Sequence, residues 1–231
     1  MQVGMGKMVI VSFPSNFQIN TNKVSINLYS AGGCICNNGY TIIKRKKIKQ
    51  MEKCINDLIK AIKQMDNYCI DVIGQNQFGD ALIQSAELSF ASELYHQFKV
   101  IISRQNRYYN GLQLHFDLGK ESCGGIRPDM VLHHSPIDYI DQRLYIEIKT
   151  SFNKSEFERD LEKLFNAVKE SYLNYKNAVF IVAKVDKNKV IKIIRDFIQN
   201  KNLQTDNRLS KIYLINVENK ENITIEIFTN I

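Results

Sequence analysis

Three charged side chains lie in two short apolar segments of this 231-residue chain. Asp129 follows a proline in the segment 127–132, and Glu147 and Lys149 are two residues apart in the segment 144–150. Alternate residues of a strand share a face, so Glu147 and Lys149 are expected to point the same way. Two carboxylates can hold a small divalent cation, and an ammonium beside them can stabilise developing negative charge. These residue types therefore suit attack on a phosphodiester, whose own charge repels a nucleophile.

An antiparallel hairpin would bring the three side chains together. Turn-forming residues separate the two segments, and a turn centred near Tyr139 predicts that Asp129 lies opposite Lys149 and Val131 opposite Glu147. Asp129 and Glu147 would then be diagonal neighbours, with roughly 7 Å between them. The other face of the second strand is predicted to enter the core through Leu144, Ile146 and Ile148.

Hydrophobic periodicity predicts the elements that position these residues. Helices are predicted over residues 44–65, 80–103, 157–172 and 190–199. Strands are predicted over residues 112–118, 127–134, 144–151 and 178–183, with a terminal hairpin over 211–228 and short strand-like runs before residue 44. The pattern predicts an α/β fold with a mixed β-sheet flanked by helices. We expect this core to span residues 76–231, after a small N-terminal β/α extension over residues 1–75.

Composition indicates the type of partner and the compartment. The net charge of +7 attracts polyanions, meaning nucleic acid or an anionic membrane surface, although such a surplus also serves solubility alone. The five cysteines form no CxxC pair, and no apolar run is long enough for a signal-peptide core or a transmembrane helix. We therefore expect a reduced, cytoplasmic protein without a membrane partner.

Basic and aromatic side chains in three regions are candidate contacts for nucleic acid, although such residues are also typical of solvated surfaces. Two regions adjoin the first two helices and contain Lys44, Arg45, Lys46 and Lys47, and then Arg104, Arg107 and Tyr108. The third, around the last helix, contains Lys187, Lys189, Lys192 and Arg195. His133 shares a predicted face with Asp129 and could touch substrate, although such a histidine is more commonly a surface or turn residue.

Pro128-Asp129, followed after a hairpin-sized gap by Glu147-Ile148-Lys149, resembles the motif of the PD-(D/E)xK nuclease superfamily. The predicted order of elements from residue 80 to about 183 also resembles that family's core. The resemblance implies a restriction-endonuclease-like αβββαβ fold and a metal-dependent endonuclease acting on DNA, with double-stranded DNA as the expected partner. It implies that Asp129, Glu147 and the main-chain carbonyl of Ile148 bind Mg²⁺, for which Mn²⁺ would substitute, and that Lys149 is catalytic.

The resemblance also implies a further metal-binding and catalytic glutamate from the helix that precedes the first strand. Glu93 fits that place best, and Glu87 is the substitute. Lys163, on the helix after the third strand, is expected to approach the site. A restriction or defence role and a homodimer, in which two sites cut two strands, are implied by analogy only. The resemblance does not cover residues 1–75.

Other interpretations of the same residues stay open. Asp129 could be a turn aspartate paired with Arg127, and Glu147 and Lys149 could be the alternating charges of an exposed strand edge. The chain could also be a catalytically inactive DNA-binding module with a nuclease fold, or a nuclease directed at RNA. The sequence does not separate these activities.

Overall fold

The computed structural model describes residues 53–71, 83–116, 126–134 and 141–231. The strands expected before residue 44 and the basic run from Lys44 to Lys47 lie outside these ranges. The described helices are α1 over residues 53–64, α2 (Asn67–Asp71), α3 (Ile83–Arg104), α4 (Lys154–Ala167) and α5 (Lys187–Asn200). The described strands are β1 (Gln113–Phe116), β2 (Met130–His133), β3 (Gln142–Lys149), β4 (Asn177–Ala183), β5 (Ile212–Val217) and β6 (Ile223–Ile227). None of the described helices is long and apolar enough to cross a membrane.

The six strands form one mixed open sheet whose spatial order follows the chain. β1, β2 and β3 are antiparallel neighbours, whereas β3, β4 and β5 run parallel and β6 returns antiparallel. Parallel neighbours need a crossover connection, and α4 and α5 provide the two that are required here. The predicted α/β class, with helices flanking a mixed sheet, is confirmed.

Helices cover both faces of the sheet. On one face, α1, α2 and α3 pack against the apolar residues of β3, which are Leu144, Ile146 and Ile148. On the other face, α4 and α5 pack against Tyr145 and against Phe180 of β4. The predicted division of β3 into two faces is therefore confirmed. Residues 53–71, assigned above to an N-terminal extension, contribute to the same core as α3.

The pairing of β2 with β3 differs from the predicted pairing by two residues. Val131 pairs with Tyr145, so the prediction that it pairs with Glu147 is wrong. The symmetric register that placed Asp129 opposite Lys149 is therefore wrong as well. A shift of two residues keeps every side chain on its predicted face, since the side-chain period of a strand is two.

A bulge sets the final size of this difference: His133, next to the turn, pairs three residues away from its predicted partner, and the bulge reduces the difference to two from Leu132 onward. Leu132 pairs with Leu144 but His133 pairs with Gln142, so Arg143 is an extra residue on β3. A symmetric count about the turn does not anticipate an extra residue on one strand only.

The helix α4 begins and ends earlier than predicted. Its N-terminus is capped by Asn153, whose side-chain oxygen accepts hydrogen bonds from the N–H groups of Ser155 and Glu156. Beyond Ala167 the chain turns back, and the Tyr175 N–H donates to the Ala167 carbonyl at 2.8 Å. The Tyr175 ring then packs edge-on against Tyr145, 5.5 Å between centroids. The helix therefore stops where the chain must return to fill the core beside β3.

Candidate active site

Asp129 lies immediately before β2, close to the end of β3. Its Oδ2 accepts a hydrogen bond from the backbone N–H of Ile148 at 2.6 Å. The N–H and C=O of a strand residue point toward the same neighbouring strand, so the Ile148 carbonyl also leaves β3 on the side of Asp129. Asp129 therefore lies beside the main chain of Ile148, the group that the resemblance places with it at a metal ion, although the predicted register is wrong.

The side chain of Glu147 is buried, with only 1% of the residue's surface exposed. Its Oε1 accepts a hydrogen bond from the Tyr145 hydroxyl at 2.6 Å, and its Oε2 accepts one from Lys163 Nζ at 3.1 Å. Lys163 therefore approaches the site from α4, as the sequence predicted. Because β3 is a central strand, the alternative interpretation of Glu147 as part of an exposed strand edge is wrong.

Lys149, only 6% exposed, lies at the end of β3 between two helices that cover opposite faces of the sheet. Its Nζ is 3.1 Å from Glu87 Oε1 on α3 and 3.3 Å from Asp160 Oδ2 on α4. The two carboxylates hold the ammonium group at the rim of the sheet, which again excludes an exposed strand edge.

α3 brings Glu87 to this position, and not Glu93, the residue that fitted the sequence pattern best. Glu93 instead accepts a hydrogen bond from Gln97 at 2.7 Å, one turn further along the same helix. Six residues separate the two glutamates, which is about one and two-thirds turns, so they leave the helix in different directions. The substitute named in the sequence analysis therefore takes the place given to Glu93.

Asp160 is a member of the site that the sequence analysis missed. It is fully buried on α4, with its Oδ1 2.8 Å from Lys163 Nζ and its Oδ2 near Lys149. A signal for it was present, because Asp160 lies between Phe157, Leu161 and Leu164 on the apolar face of the helix. A carboxylate at a core-facing position needs a charged partner, and here it has three, since Arg159 Nε also lies 3.9 Å from its Oδ1.

These side chains border an open cavity of about 610 Å³. Its charged lining includes Glu87, Asp129 and Lys149, whereas Glu147 is not part of the lining. The remaining lining residues are Leu88, Ala91, Phe116, Ser151, Phe152, Asn153, Glu156 and Arg159. The volume is within the range of about 300–1,000 Å³ that is usual for ligand sites.

Acidic groups outnumber basic ones in what we call the pocket cluster, which comprises Glu87, Asp129, Glu147, Asp160, Lys149 and Lys163. Burial raises the pKa of Asp129 to about 6, although the Ile148 N–H and Lys149 act in the opposite direction. Burial also raises the pKa of Glu147 to about 8, together with the carboxylates of Asp129 and Asp160. In both cases burial, followed by neighbouring carboxylates, disfavours the charged form more than the nearby lysine favours it.

The ammonium of Lys149 is held in its charged form. Burial acts to lower the pKa of Lys149, but the carboxylates of Asp160 and Glu87 outweigh it, and the pKa lies above its ordinary value. At neutral pH this side chain can donate hydrogen bonds and offset negative charge, but it cannot accept a proton.

The donor set fits a divalent cation. Glu87 and Asp129 present carboxylates to the cavity, and carboxylate and carbonyl oxygens are the ligands that Mg²⁺ prefers. A cation there would offset the excess of acid. As the side chains stand, no three His, Cys, Asp or Glu groups within the described ranges converge as a ready metal site. Glu147 does not line the cavity and would have to turn toward it to join one.

The residues predicted to contact nucleic acid differ in how exposed they are. Arg104 and Arg107 are exposed, whereas Tyr108 is half-buried, packed edge-on against Tyr109 with Lys53 Nζ 4.8 Å from its ring centroid. His133 is fully buried, its ring 4.9 Å from that of His115. Its side chain therefore does not reach the surface where a substrate could contact it.

Comparison with protein-family models found no match to this chain. Comparison with curated proteins and with solved structures found no match either. Any assignment of activity therefore depends on the residues and the geometry of the pocket cluster itself.

Proposed function

We propose that this protein is a metal-dependent nuclease that hydrolyses phosphodiester bonds in DNA, on a restriction-endonuclease-like αβββαβ core. The observation that carries the proposal is an open cavity whose wall combines two carboxylates, Glu87 and Asp129, with the charged amine of Lys149. The order α3–β1–β2–β3–α4–β4 supports it, because it follows the element order of the family that the sequence resembles.

The metal ligands in this proposal are Asp129, the main-chain carbonyl of Ile148 and Glu87, which replaces Glu93. Glu147 completes the set once its buried side chain turns toward the cavity. Mg²⁺, or Mn²⁺ in its place, would neutralise the phosphodiester charge and support the leaving oxygen. The raised pKa values of Asp129 and Glu147 support this assignment, because burial and the neighbouring carboxylates disfavour their charged forms, which a bound cation would stabilise.

The protein's own groups then act on the phosphate through charge and position. Lys149 donates hydrogen bonds to a phosphate oxygen and offsets the charge that develops in the transition state. Glu87 and Asp160 hold its amine in place from the two sides of the sheet. Exposed Arg104 and Arg107 are candidate contacts for the DNA backbone, as are Lys44 to Lys47 and the basic residues of α5.

Cleavage assays test this proposal. Purified protein and Mg²⁺ are incubated in three parallel reactions with plasmid, single-stranded DNA or RNA. Comparison of the three reactions shows whether DNA or RNA is the substrate. We expect Asp129→Ala to abolish the cleavage seen with the wild type. Glu87→Ala and Glu93→Ala form a matched pair on one helix, and only the first is expected to reduce cleavage. Equal cleavage by the wild type and Asp129→Ala would refute the assignment.

One observation favours a second candidate, an inactive DNA-binding module with a nuclease fold. Both carboxylate oxygens of Glu147 are already occupied, by Tyr145 and by Lys163. This alternative predicts DNA binding that does not depend on Mg²⁺ and no cleavage under any condition. Gel-shift and cleavage assays on the same preparation distinguish the two functions.

A further inference from the structure

The cavity beside Asp129 and Lys149 has an apolar part as well as a charged part. Leu88, Ala91, Phe116 and Phe152 line it together with the charged groups. Among the described residues, five large hydrophobic side chains are exposed, and two of them, Leu88 at 59% and Phe152 at 45%, belong to this lining. Exposed apolar surface concentrated at a cavity with charged groups is typical of a ligand-binding site.

Phe152 is exposed but firmly anchored. Its ring lies 5.2 Å from that of Phe157, which in turn lies 5.2 Å from that of Phe180 in an edge-on arrangement. Phe157 and Phe180 are fully buried, so a row of three rings leads from the core to the cavity. An anchored ring has little conformational freedom to lose when a flat ligand stacks on it.

The chain keeps the backbone of Phe152 close to the charged groups. Phe152 follows Lys149 by three residues, so their Cα atoms are at most about 10 Å apart. The segment is tethered at both ends, by β3 and by the capped start of α4 at Asn153. Backbone positions this close allow one nucleotide to reach both side chains, with its phosphate at Lys149 and its base at Phe152. Exposed Arg159, also in the lining, lies 3.9 Å from Asp160 Oδ1 through its Nε and adds a cation that can also contact a neighbouring phosphate.

We propose that Phe152 stacks on an unpaired nucleobase next to the phosphate that is cleaved, an inference that rests on the proposed nuclease function. A base inside a continuous duplex is already stacked on its neighbours, so it must leave the duplex to meet an aromatic side chain. The preferred substrate is therefore nucleic acid that is single-stranded or locally unpaired at the cleavage point, such as a strand end or a flap. Stacking of this kind tolerates any base, because every base has a flat π-face.

Binding to a fluorescent oligonucleotide tests the inference. The probe is a short single-stranded oligodeoxynucleotide with one 2-aminopurine, whose fluorescence falls when it stacks, and Ca²⁺ replaces Mg²⁺ to slow hydrolysis. The full-length wild type is expected to quench the probe and to bind it more tightly than the same sequence in a blunt duplex. Phe152→Ala is expected to lose the quenching and about tenfold in affinity, within the range for loss of one stacked base. Phe152→Trp is expected to restore both.

Tyr68→Ala is the matched control, since Tyr68 is an exposed aromatic residue on α2 that does not line the cavity. It is expected to behave as the wild type, and circular dichroism establishes that each variant is folded. If the wild type cleaves in the presence of Mg²⁺ but Phe152→Ala binds and quenches the probe as the wild type does, the stacking inference is overturned and the nuclease proposal stands. Absence of cleavage of every substrate by the wild type would instead refute the proposed function, so the two failures are distinguishable.

Discussion

The protein contains two buried carboxylate clusters that differ in how their charge is balanced. The Asp57 cluster comprises Asp57, Lys53, Lys60 and Tyr109. The fully buried carboxylate of Asp57 accepts hydrogen bonds from Lys53 at 2.8 Å, Lys60 at 3.1 Å and the Tyr109 hydroxyl at 2.9 Å. Burial acts to raise the pKa of Asp57, but these hydrogen bonds outweigh it, and the pKa lies below its ordinary value.

The pocket cluster has the opposite balance. Its carboxylates outnumber its two lysines, and the pKa values of Asp129 and Glu147 are raised, first of all by burial. It also borders an open cavity, whereas Asp57 is enclosed by its partners. Burial of an acid is therefore common to both clusters and does not identify a functional site. A deficit of positive charge beside an accessible cavity does distinguish them.

Removing one lysine from each cluster is expected to have the largest and most contrasting effect. Lys149→Met should lower Mg²⁺-dependent cleavage by about 10²–10³-fold, because a group that offsets transition-state charge is lost. Lys53→Met should leave the cleavage rate of the folded protein unchanged and lower only its stability. Single-turnover cleavage rates, measured with thermal melts of both variants, provide the comparison. Similar rates for Lys149→Met and the wild type would remove the basis for treating the clusters differently.

Mg²⁺ is expected to stabilise the protein through the pocket cluster only. A ligand that binds the folded state alone, at a hundred times its dissociation constant, adds about 2.7 kcal/mol to the free energy of unfolding. Thermal melts with and without Mg²⁺ should therefore differ for the wild type. Asp129→Asn should lose this difference, because a ligand carboxylate is replaced by an amide of the same shape.

Asp57→Asn serves as the control for metal binding. It should retain the full stabilisation by Mg²⁺ even if its melting temperature without metal is lower. Loss of the Mg²⁺ effect in Asp57→Asn would show that the ion acts elsewhere than at the pocket cluster.

Asp57→Ala is expected to lower the free energy of unfolding by about 2 kcal/mol. The buried Tyr109 hydroxyl would lose its partner, and such a loss costs about 1–3 kcal/mol. Lys53 and Lys60 are partly exposed and can return to water, so the full cost of a broken buried ion pair does not apply. Urea unfolding measures the change. Glu158→Ala, which removes one partner of a surface ion pair, is the control and is expected to lower the free energy of unfolding by less than about 0.5 kcal/mol. A similar loss in both variants would contradict a structural role for Asp57.

The sequence was sufficient to predict which segments meet at the pocket cluster. Alternation in β3 separates Leu144, Ile146 and Ile148 from the charged residues, and this separation does not depend on the exact register. The apolar runs also predicted the mixed sheet and its flanking helices. These features depend on local periodicity, which a single sequence records directly.

Other features of the site depend on packing between distant elements. The extra residue Arg143 in β3 sets the register with β2, and no local pattern marks it. The choice of Glu87 over Glu93 depends on how α3 is rotated against the sheet. Asp160 acquires its role only when α4 places it between Lys149 and Lys163. Long-range ion pairs of this kind leave only an indirect trace in sequence, here a carboxylate on an apolar helix face.

The smallest expected effect is a difference in pH dependence without metal. The pKa of Asp129 is raised from 3.8 to about 6 in the folded state, so the folded state binds more protons than the unfolded state between these values. The contribution of Asp129 to stability therefore falls as the pH rises from about 4 to about 6, and the cost persists above that range. Asp57, whose pKa is lowered, contributes the opposite sign, and its stabilisation is lost only as the pH falls toward the acid range.

Asp129→Asn removes this cost because asparagine does not ionise, while its side-chain oxygen can still accept from the Ile148 N–H. In EDTA at pH 7, the free energy of unfolding of the variant is expected to exceed that of the wild type by about 1 kcal/mol. This is less than the full pKa shift implies, because solvent in the open cavity screens the charge of Asp129. The gain should vanish near pH 4, and thermal melts across this range measure it. Asp57→Asn should instead be less stable than the wild type at pH 7. If both substitutions destabilised the protein equally at every pH, the distinction between a balanced and an unbalanced cluster would fail.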